Sequence, residues 1–141
     1  MVLALDCYGT MLSCCDPENL LPARKGLLAV LKQCEEDHRP VCTISDGPTR
    51  RVQGDLQDCG IPLHYFDEFF EMQQRQPKHY RRVWEHYGVP AYHVLVVGDS
   101  WSLDIEPAMR QHCLWLHVPA YHRENTFDLY ESLRSQLRPH Q

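Results

Sequence analysis

Val2-Leu3-Ala4-Leu5-Asp6-Cys7-Tyr8-Gly9-Thr10 is the stretch on which the fold turns. Four apolar residues with no polar alternation read as a strand covered on both faces. The strand ends in an acid, and the acid runs into a glycine turn. Gly9 permits a tight backbone path, and exposed amides at such a turn can bind an anion. Taken alone the pattern is weak, because Asp and Gly are also ordinary turn residues.

Working outward, three more apolar runs read as buried strands, at 41–44, 94–97 and 114–118, with a weaker candidate at 69–72. Helical patterns fill the gaps. Residues 23–36 put Leu27, Leu28, Val30, Leu31 and Cys34 on one broad side, with Pro22 near the start. A second helix over 48–59 is closed by Gly60, and a third over 77–87 ends at Gly88. A fourth spans 103–112, where Pro107 either falls in the first turn or forces a kink. A last helix covers 126–137, with Thr126 or Asn125 as its N-cap.

Strands alternating with helices imply right-handed crossovers. The expected fold is α/β: a three-layer, Rossmann-like parallel sheet of about five strands with helices on both faces. Ligands of such sheets bind beyond the C-terminal strand ends, and the polar residues of interest fall there. Asp6 follows the first strand, Ser45-Asp46-Gly47 the second, and Gly98-Asp99-Ser100 the fourth. Asp99 and Asp104 span a strand end and a helix start, and hard carboxylate oxygens with room for water and phosphate suit Mg2+. The plain alternative is that Asp104 or Ser102 caps the next helix. Ser45 beside the Gly47-Pro48 turn can hold a phosphoryl oxygen, or the turn has no function.

In this order, each at a strand end, the three segments resemble the haloacid dehalogenase (HAD) superfamily. Asp6 to Thr10 matches its D-x-[D or Y]-G-T nucleophile loop, Ser45 its strand-closing Ser or Thr, and Gly98 to Asp104 its G-D-x-x-x-x-D acidic motif. The resemblance covers about residues 1–120. It implies one HAD-like core domain over 1–141, with 7–21 at most a flap. It further implies magnesium-dependent hydrolysis of phosphomonoesters through an aspartyl-phosphate on Asp6. Asp6, Asp99 and the Tyr8 backbone carbonyl would hold the metal, with Asp104 as a further ligand or its neighbour. Ser45, with Thr10, Asp46 and Gly47, would bind the phosphoryl group.

Three departures shape the expectation. Phosphatases of the family mostly have a second aspartate where Tyr8 stands, and tyrosine there is characteristic of 2-haloacid dehalogenases. A phenol can donate a proton to a leaving oxygen but is a poor base near neutrality. The family's third-motif lysine, aligned on Tyr80, falls on Gln74, leaving Lys78 or Arg75 to supply the charge. The helical cap is missing, so the cleft should be open, which suits large phosphorylated substrates or a partner that closes it. Metal-independent carbon–halogen hydrolysis is the alternative that Tyr8 suggests. A catalytically weak binding module is the other, and its mark would be an apolar patch near Met11-Leu12 or Trp101. Trp101 itself reads first as a packing residue, with substrate stacking as the alternative.

The net charge of −5 argues against a nucleic-acid footprint. The one basic cluster, Arg75 to Arg82, reads as a helix start with a solvated face. No run is long and apolar enough to span a membrane, and the start lacks the pattern of a signal peptide, so a cytoplasmic protein is expected. Seven cysteines without a C-x-x-C pair read as reduced thiols. Oligomeric state leaves no trace in the sequence.

Overall fold

The computed structural model describes residues 1–14, 16–123 and 127–137. Strand β1 (Val2–Leu5) lies at the middle of a five-stranded sheet. It pairs in parallel with β2 (Val41–Thr43) on one side and with β4 (Val94–Gly98) on the other. The short β3 (Glu68–Phe69) continues the sheet beyond β2, and β5 (Leu114–His117) beyond β4. The order is β3-β2-β1-β4-β5. The chain therefore builds outward one way from β1 and then crosses to β4, which makes the β1/β4 boundary the topological switch point where α/β sheets bind ligands.

The side-chain period of two explains the layers. Leu3 and Leu5, with Leu95 and Val97, enter one core, which also holds buried residues of α1 (Leu27–Glu36), α2 (Thr49–Asp58) and α5 (Leu129–Leu133). Val2 and Ala4, with Val94 and Val96, enter a second core with Val83 of α3 (Arg81–Tyr87) and Ala108 of α4 (Glu106–Arg110). Both faces of the central strands are thus dry, as their unbroken apolar runs require.

Several elements are shorter than the apolar periodicity suggests, for local reasons. Helix α1 starts at Leu27 rather than 23, because Arg24 is tied to the loop that follows β1: its backbone amide donates to the Met11 carbonyl at 2.9 Å. Helix α3 starts at Arg81 rather than 77, because the Lys78 amide is drawn to the Leu103 carbonyl at 3.0 Å. Between β4 and α4 the chain makes a π-helical turn, Trp101–Ile105, so that Pro107 falls in the first turn of α4 and forces no kink. Helix α5 is capped by Asp128, whose carboxylate accepts from the Glu131 amide; Asn125 and Thr126 lie outside the described residues.

Strand β5 departs from expectation in another way. It is an edge strand, and Leu114, Trp115 and His117 are exposed rather than covered on both faces. Met11 and Leu12 are fully buried and form no surface patch, whereas Trp101, expected to pack, is exposed. Among the described residues Cys7, Cys34, Cys42 and Cys113 are buried free thiols, and no helix is long and apolar enough to cross a membrane.

Candidate active site

Asp6 leaves β1 one residue after its last pairing, its amide still bonded to the Val97 carbonyl at 3.0 Å. That bond fixes the carboxylate beside the end of β4, where Asp99 follows Gly98. The loop then closes on itself: the amides of Thr10, Met11 and Leu12 all donate to the Cys7 carbonyl. Gly9 has φ +89, and a Cβ there would overlap the Asp99 carboxylate, so conformation and space both demand glycine. A Cβ on Gly98 would likewise overlap the Asp104 carboxylate. These two glycines let three acids approach one another. Asp6, Asp99 and Asp104 each place a carboxylate oxygen within 4.8 Å of the other two.

One lysine bridges two of the three. Lys78 is buried, with Nζ 2.8 Å from Asp6 Oδ1 and 2.5 Å from Asp104 Oδ1. It is positioned by its backbone. Its amide donates to Leu103, its carbonyl accepts from Gln111 Nε2 at 2.8 Å, and Gln111 Oε1 accepts from the Tyr80 amide at 2.7 Å. The Tyr80 hydroxyl donates to the Asp104 carbonyl at 2.8 Å. The Arg75–Arg82 segment is therefore not a uniformly solvated face: Arg75 and Gln74 are exposed, while Lys78 enters the site. Arg75 contributes only its amide, which donates to Asp46 Oδ2 at 3.1 Å.

The remaining polar residues arrange themselves around this core. Thr10 Oγ lies 3.2 Å from Asp6 Oδ2 and 3.3 Å from Asp99 Oδ1, where one hydroxyl proton serves two carboxylates. Asp104 Oδ2 accepts from the Ser100 amide at 3.2 Å, while Ser100 Oγ caps the turn by accepting from Leu103. Asp104 therefore does not cap the helix. Ser45 is buried at the end of β2, and its Oγ accepts from the Gly47 amide at 3.0 Å. The Tyr8 hydroxyl donates to Asp55 Oδ2 of α2 at 2.6 Å. Burial and that hydrogen bond push the Tyr8 phenol well above its usual range. The phenol therefore keeps its proton, which points at Asp55 in this geometry.

Two contributors were not legible beforehand. Asp55 is a buried carboxylate facing Tyr8, in a helix whose sequence reads as polar. Arg24 is buried, and its Nη2 donates to the carbonyls of Gly9 at 3.2 Å and Pro119 at 2.5 Å, bracing the loop after β1 against the segment after β5. No spacing rule signals either one.

Electrostatics bear on what the cluster can hold. Burial would lower the Lys78 pKa, but Asp6 and Asp104 outweigh it and keep the ammonium firmly charged. Burial and the neighbouring Asp6 push Asp99 up to about 7 and Asp104 to about 6, with Lys78 opposing the rise at Asp104. Lys78 thus answers Asp6 and Asp104 while Asp99 lacks a contact with it, and the surplus negative charge on hard oxygens fits a divalent cation such as Mg2+. Because the folded-state pKa of Asp99 lies above its unfolded value, its contribution favours folding at low pH and is lost as pH rises through about 7. Asp99→Asn is therefore expected to be more stable than wild type in chelator at pH 7.5, the difference closing towards pH 5. Thermal unfolding at the two pH values measures this, and added Mg2+ should stabilise wild type alone at pH 7.5.

Tyr8→Phe removes the one hydrogen bond described for the Asp55 carboxylate. A stability loss of about 1–3 kcal/mol is expected from the buried unpaired acceptor. Combining Tyr8→Phe with Asp55→Leu should recover most of it, which denaturant titration of the three variants would measure.

Comparison with solved structures places this architecture. The fold is that of the HAD-superfamily hydrolases. A HAD-superfamily hydrolase from Ehrlichia chaffeensis superposes with a TM-score of 0.71 at 13% identity, covering 96% of this chain and 95% of that one. A HAD-hydrolase from Bacillus subtilis, bound to magnesium, gives 0.59 at 18% identity over 80% of this chain and 54% of its own. A predicted phosphoglycolate phosphatase from Haemophilus somnus 129PT gives 0.60 at 21% identity over 78% and 50%. The chain thus spans about half the length of the latter two. No protein-family model matches the sequence, and no curated protein matches it.

Proposed function

We propose that this chain is a magnesium-dependent phosphomonoester hydrolase working through an aspartyl-phosphate on Asp6. The observation that carries the reading is the placement of Asp6: a buried carboxylate within 2.8 Å of Lys78, in a cluster with Asp99 and Asp104 at the sheet's switch point. One Asp6 oxygen attacks phosphorus, the bond to the leaving oxygen breaks, and that oxygen takes a proton. Water then attacks the aspartyl-phosphate at phosphorus, releasing inorganic phosphate and regenerating Asp6.

Asp6, Asp99 and the Tyr8 backbone carbonyl would hold Mg2+, with Asp104 as a further ligand or neighbour. When bound, the ion offsets repulsion between phosphate and carboxylates and stabilises charge in the transition state. Lys78 supports the same charge from the protein side and orients Asp6. Ser45 and the Gly47 turn bind phosphoryl oxygens, Thr10 holds Asp6 against Asp99, and Asp46 fixes the Arg75 backbone. Tyr8 is the nearest candidate for the leaving-group proton, but its hydroxyl is engaged by Asp55, so slow turnover is expected. Metal-independent dehalogenation gains little here, because it has no use for three clustered acids.

A panel of phosphomonoesters assayed with and without Mg2+, beside 2-chloropropionate with halide detection, tests the reading. Magnesium-dependent phosphate release supports it. Halide release without metal, or no release of either ion and no covalent phosphate on the protein, would overturn it.

A further inference from the structure

The Tyr8 side chain lies between the turn that follows β2 and helix α2. A Cβ on Gly47 would stand 3.0 Å from Tyr8 Cε2 and 3.3 Å from Ser45 Oγ, so the ring edge touches the turn assigned to the phosphoryl oxygens. Cε2 adjoins the carbon that bears the hydroxyl. The phenol is thus at the phosphoryl site, yet its proton is not offered there, because the hydroxyl donates to Asp55 Oδ2 of α2 at 2.6 Å. Asp55 is only 6% exposed, and Tyr8 is the one donor described for its carboxylate. Turning the proton towards a substrate would strip a buried carboxylate of that bond, which disfavours the turned hydroxyl by roughly ten- to a hundredfold.

The neighbouring donors are committed as well. The Lys78 ammonium neutralises Asp6 and Asp104, and the Thr10 hydroxyl faces the carboxylates of Asp6 and Asp99. His117 Nε2 is 3.0 Å from the Asp99 carbonyl, which only accepts, so its proton is engaged there. Ser45 keeps its hydroxyl for a phosphoryl oxygen, and a serine alcohol is no stronger an acid than an alcohol that would leave. Among the described residues, no proton stands ready for an alkoxide expelled from phosphorus.

We infer that Asp55 is a positioning residue that withholds the Tyr8 proton, and that it restricts this enzyme to phosphoryl donors whose leaving group departs as a stable anion, an acyl phosphate above all. The inference rests on the phosphohydrolase reading for its chemistry. As an Asp6 oxygen bonds to phosphorus, the bond from phosphorus to the acyl oxygen breaks, and the leaving carboxylate keeps the electron pair and takes no proton. An alkyl ester must expel an alkoxide, and lack of a general acid typically slows such a step by about 10²- to 10⁴-fold.

The test is the ratio of kcat/KM for benzyl phosphate to that for acetyl phosphate at saturating Mg2+. This constant reports transfer to Asp6 whatever the lifetime of the adduct, and the ratio cancels effects common to both donors. Asp55→Leu frees the phenol and should raise the ratio roughly ten- to a hundredfold above wild type. Adding Tyr8→Phe should remove the rise, a reversal that a merely structural Asp55 would not produce. Wild type alone supplies a second measurement. Across a series of aryl phosphates beginning with 4-nitrophenyl phosphate, kcat/KM should fall steeply as the leaving phenol becomes less acidic.

A shallow dependence in that series, or an Asp55→Leu ratio equal to that of wild type, would overturn the inference and leave the hydrolase standing. A raised ratio that survives Tyr8→Phe would overturn it too, since the proton would then come from another group. Neither phosphate release nor a phosphorylated protein from any of these donors would sink the hydrolase reading, and the inference with it.

Discussion

Lys78→Met is expected to cost both stability and activity, and by more than any other single change outside the nucleophile. The lysine is buried between Asp6 and Asp104, and no other cation contacts their carboxylates among the described residues. Methionine keeps much of the volume, so the loss is electrostatic rather than a cavity. Removing one partner of a buried ion pair costs about 3–5 kcal/mol, because the remaining charge is left uncompensated. Here three carboxylates would be left together, and part of the cost is avoided by protonation, since Asp99 and Asp104 already titrate high. The variant should accordingly be weakest above pH 7 and recover as pH falls through about 6. Magnesium should restore more stability to it than to wild type, because the ion would take over the neutralising role. Activity should fall by about 10²- to 10³-fold, the usual consequence of losing one group that stabilises developing charge. Urea unfolding at pH 5.5 and 7.5, with magnesium or chelator, reads the first expectation, and phosphate release at saturating magnesium reads the second. A variant as stable as wild type at pH 7.5 in chelator would mean that Lys78 does not compensate the acids.

The sequence carried the acids better than it carried their partner, and the reason is physical. Asp6 and Asp99 follow apolar runs that can only be central strands, and the strand order brings β1 and β4 side by side, so their positions are local consequences of period-two burial. Lys78 reaches the site through contacts distant in sequence, to Leu103 and Gln111, and nothing in the residues from Arg75 to Arg82 separates it from the exposed cations around it. Helices α1 and α3 read too long for the same reason. The residues before Leu27 and before Arg81 continue an acceptable helical pattern, but tertiary hydrogen bonds hold them out of the helix. Leu114-Trp115-Leu116-His117 has the composition of a covered strand, and only the topology shows that it is an edge. Arg24 and Asp55 are single polar residues whose partners, Gly9, Pro119 and Tyr8, no spacing rule connects to them.

Asp6→Asn is the other large expectation, and it separates covalent catalysis from every other use of the site. The amide cannot attack phosphorus, and loss of a nucleophile from a group that acts as a unit typically costs on the order of 10⁴- to 10⁶-fold. The fold should survive. Lys78 keeps Asp104 at 2.5 Å, and Asn accepts from Thr10 much as Asp does. Removing one of three clustered negative charges also relieves the repulsion that raises Asp99 and Asp104, so the metal-free variant should unfold no earlier than wild type near neutrality. Magnesium affinity should drop, since one hard anionic ligand is lost. The decisive readout is intact mass after incubation with acetyl phosphate and magnesium. Wild type should gain one phosphoryl group, and the adduct should persist long enough to detect because Tyr8, committed to Asp55, is poorly placed to activate water. Asp6→Asn should gain none. If the substituted protein still took up phosphate, the acceptor would lie elsewhere and Asp6 would be only a metal ligand. If neither protein did while wild type released phosphate, water would be attacking the substrate directly, with the three acids serving the metal alone.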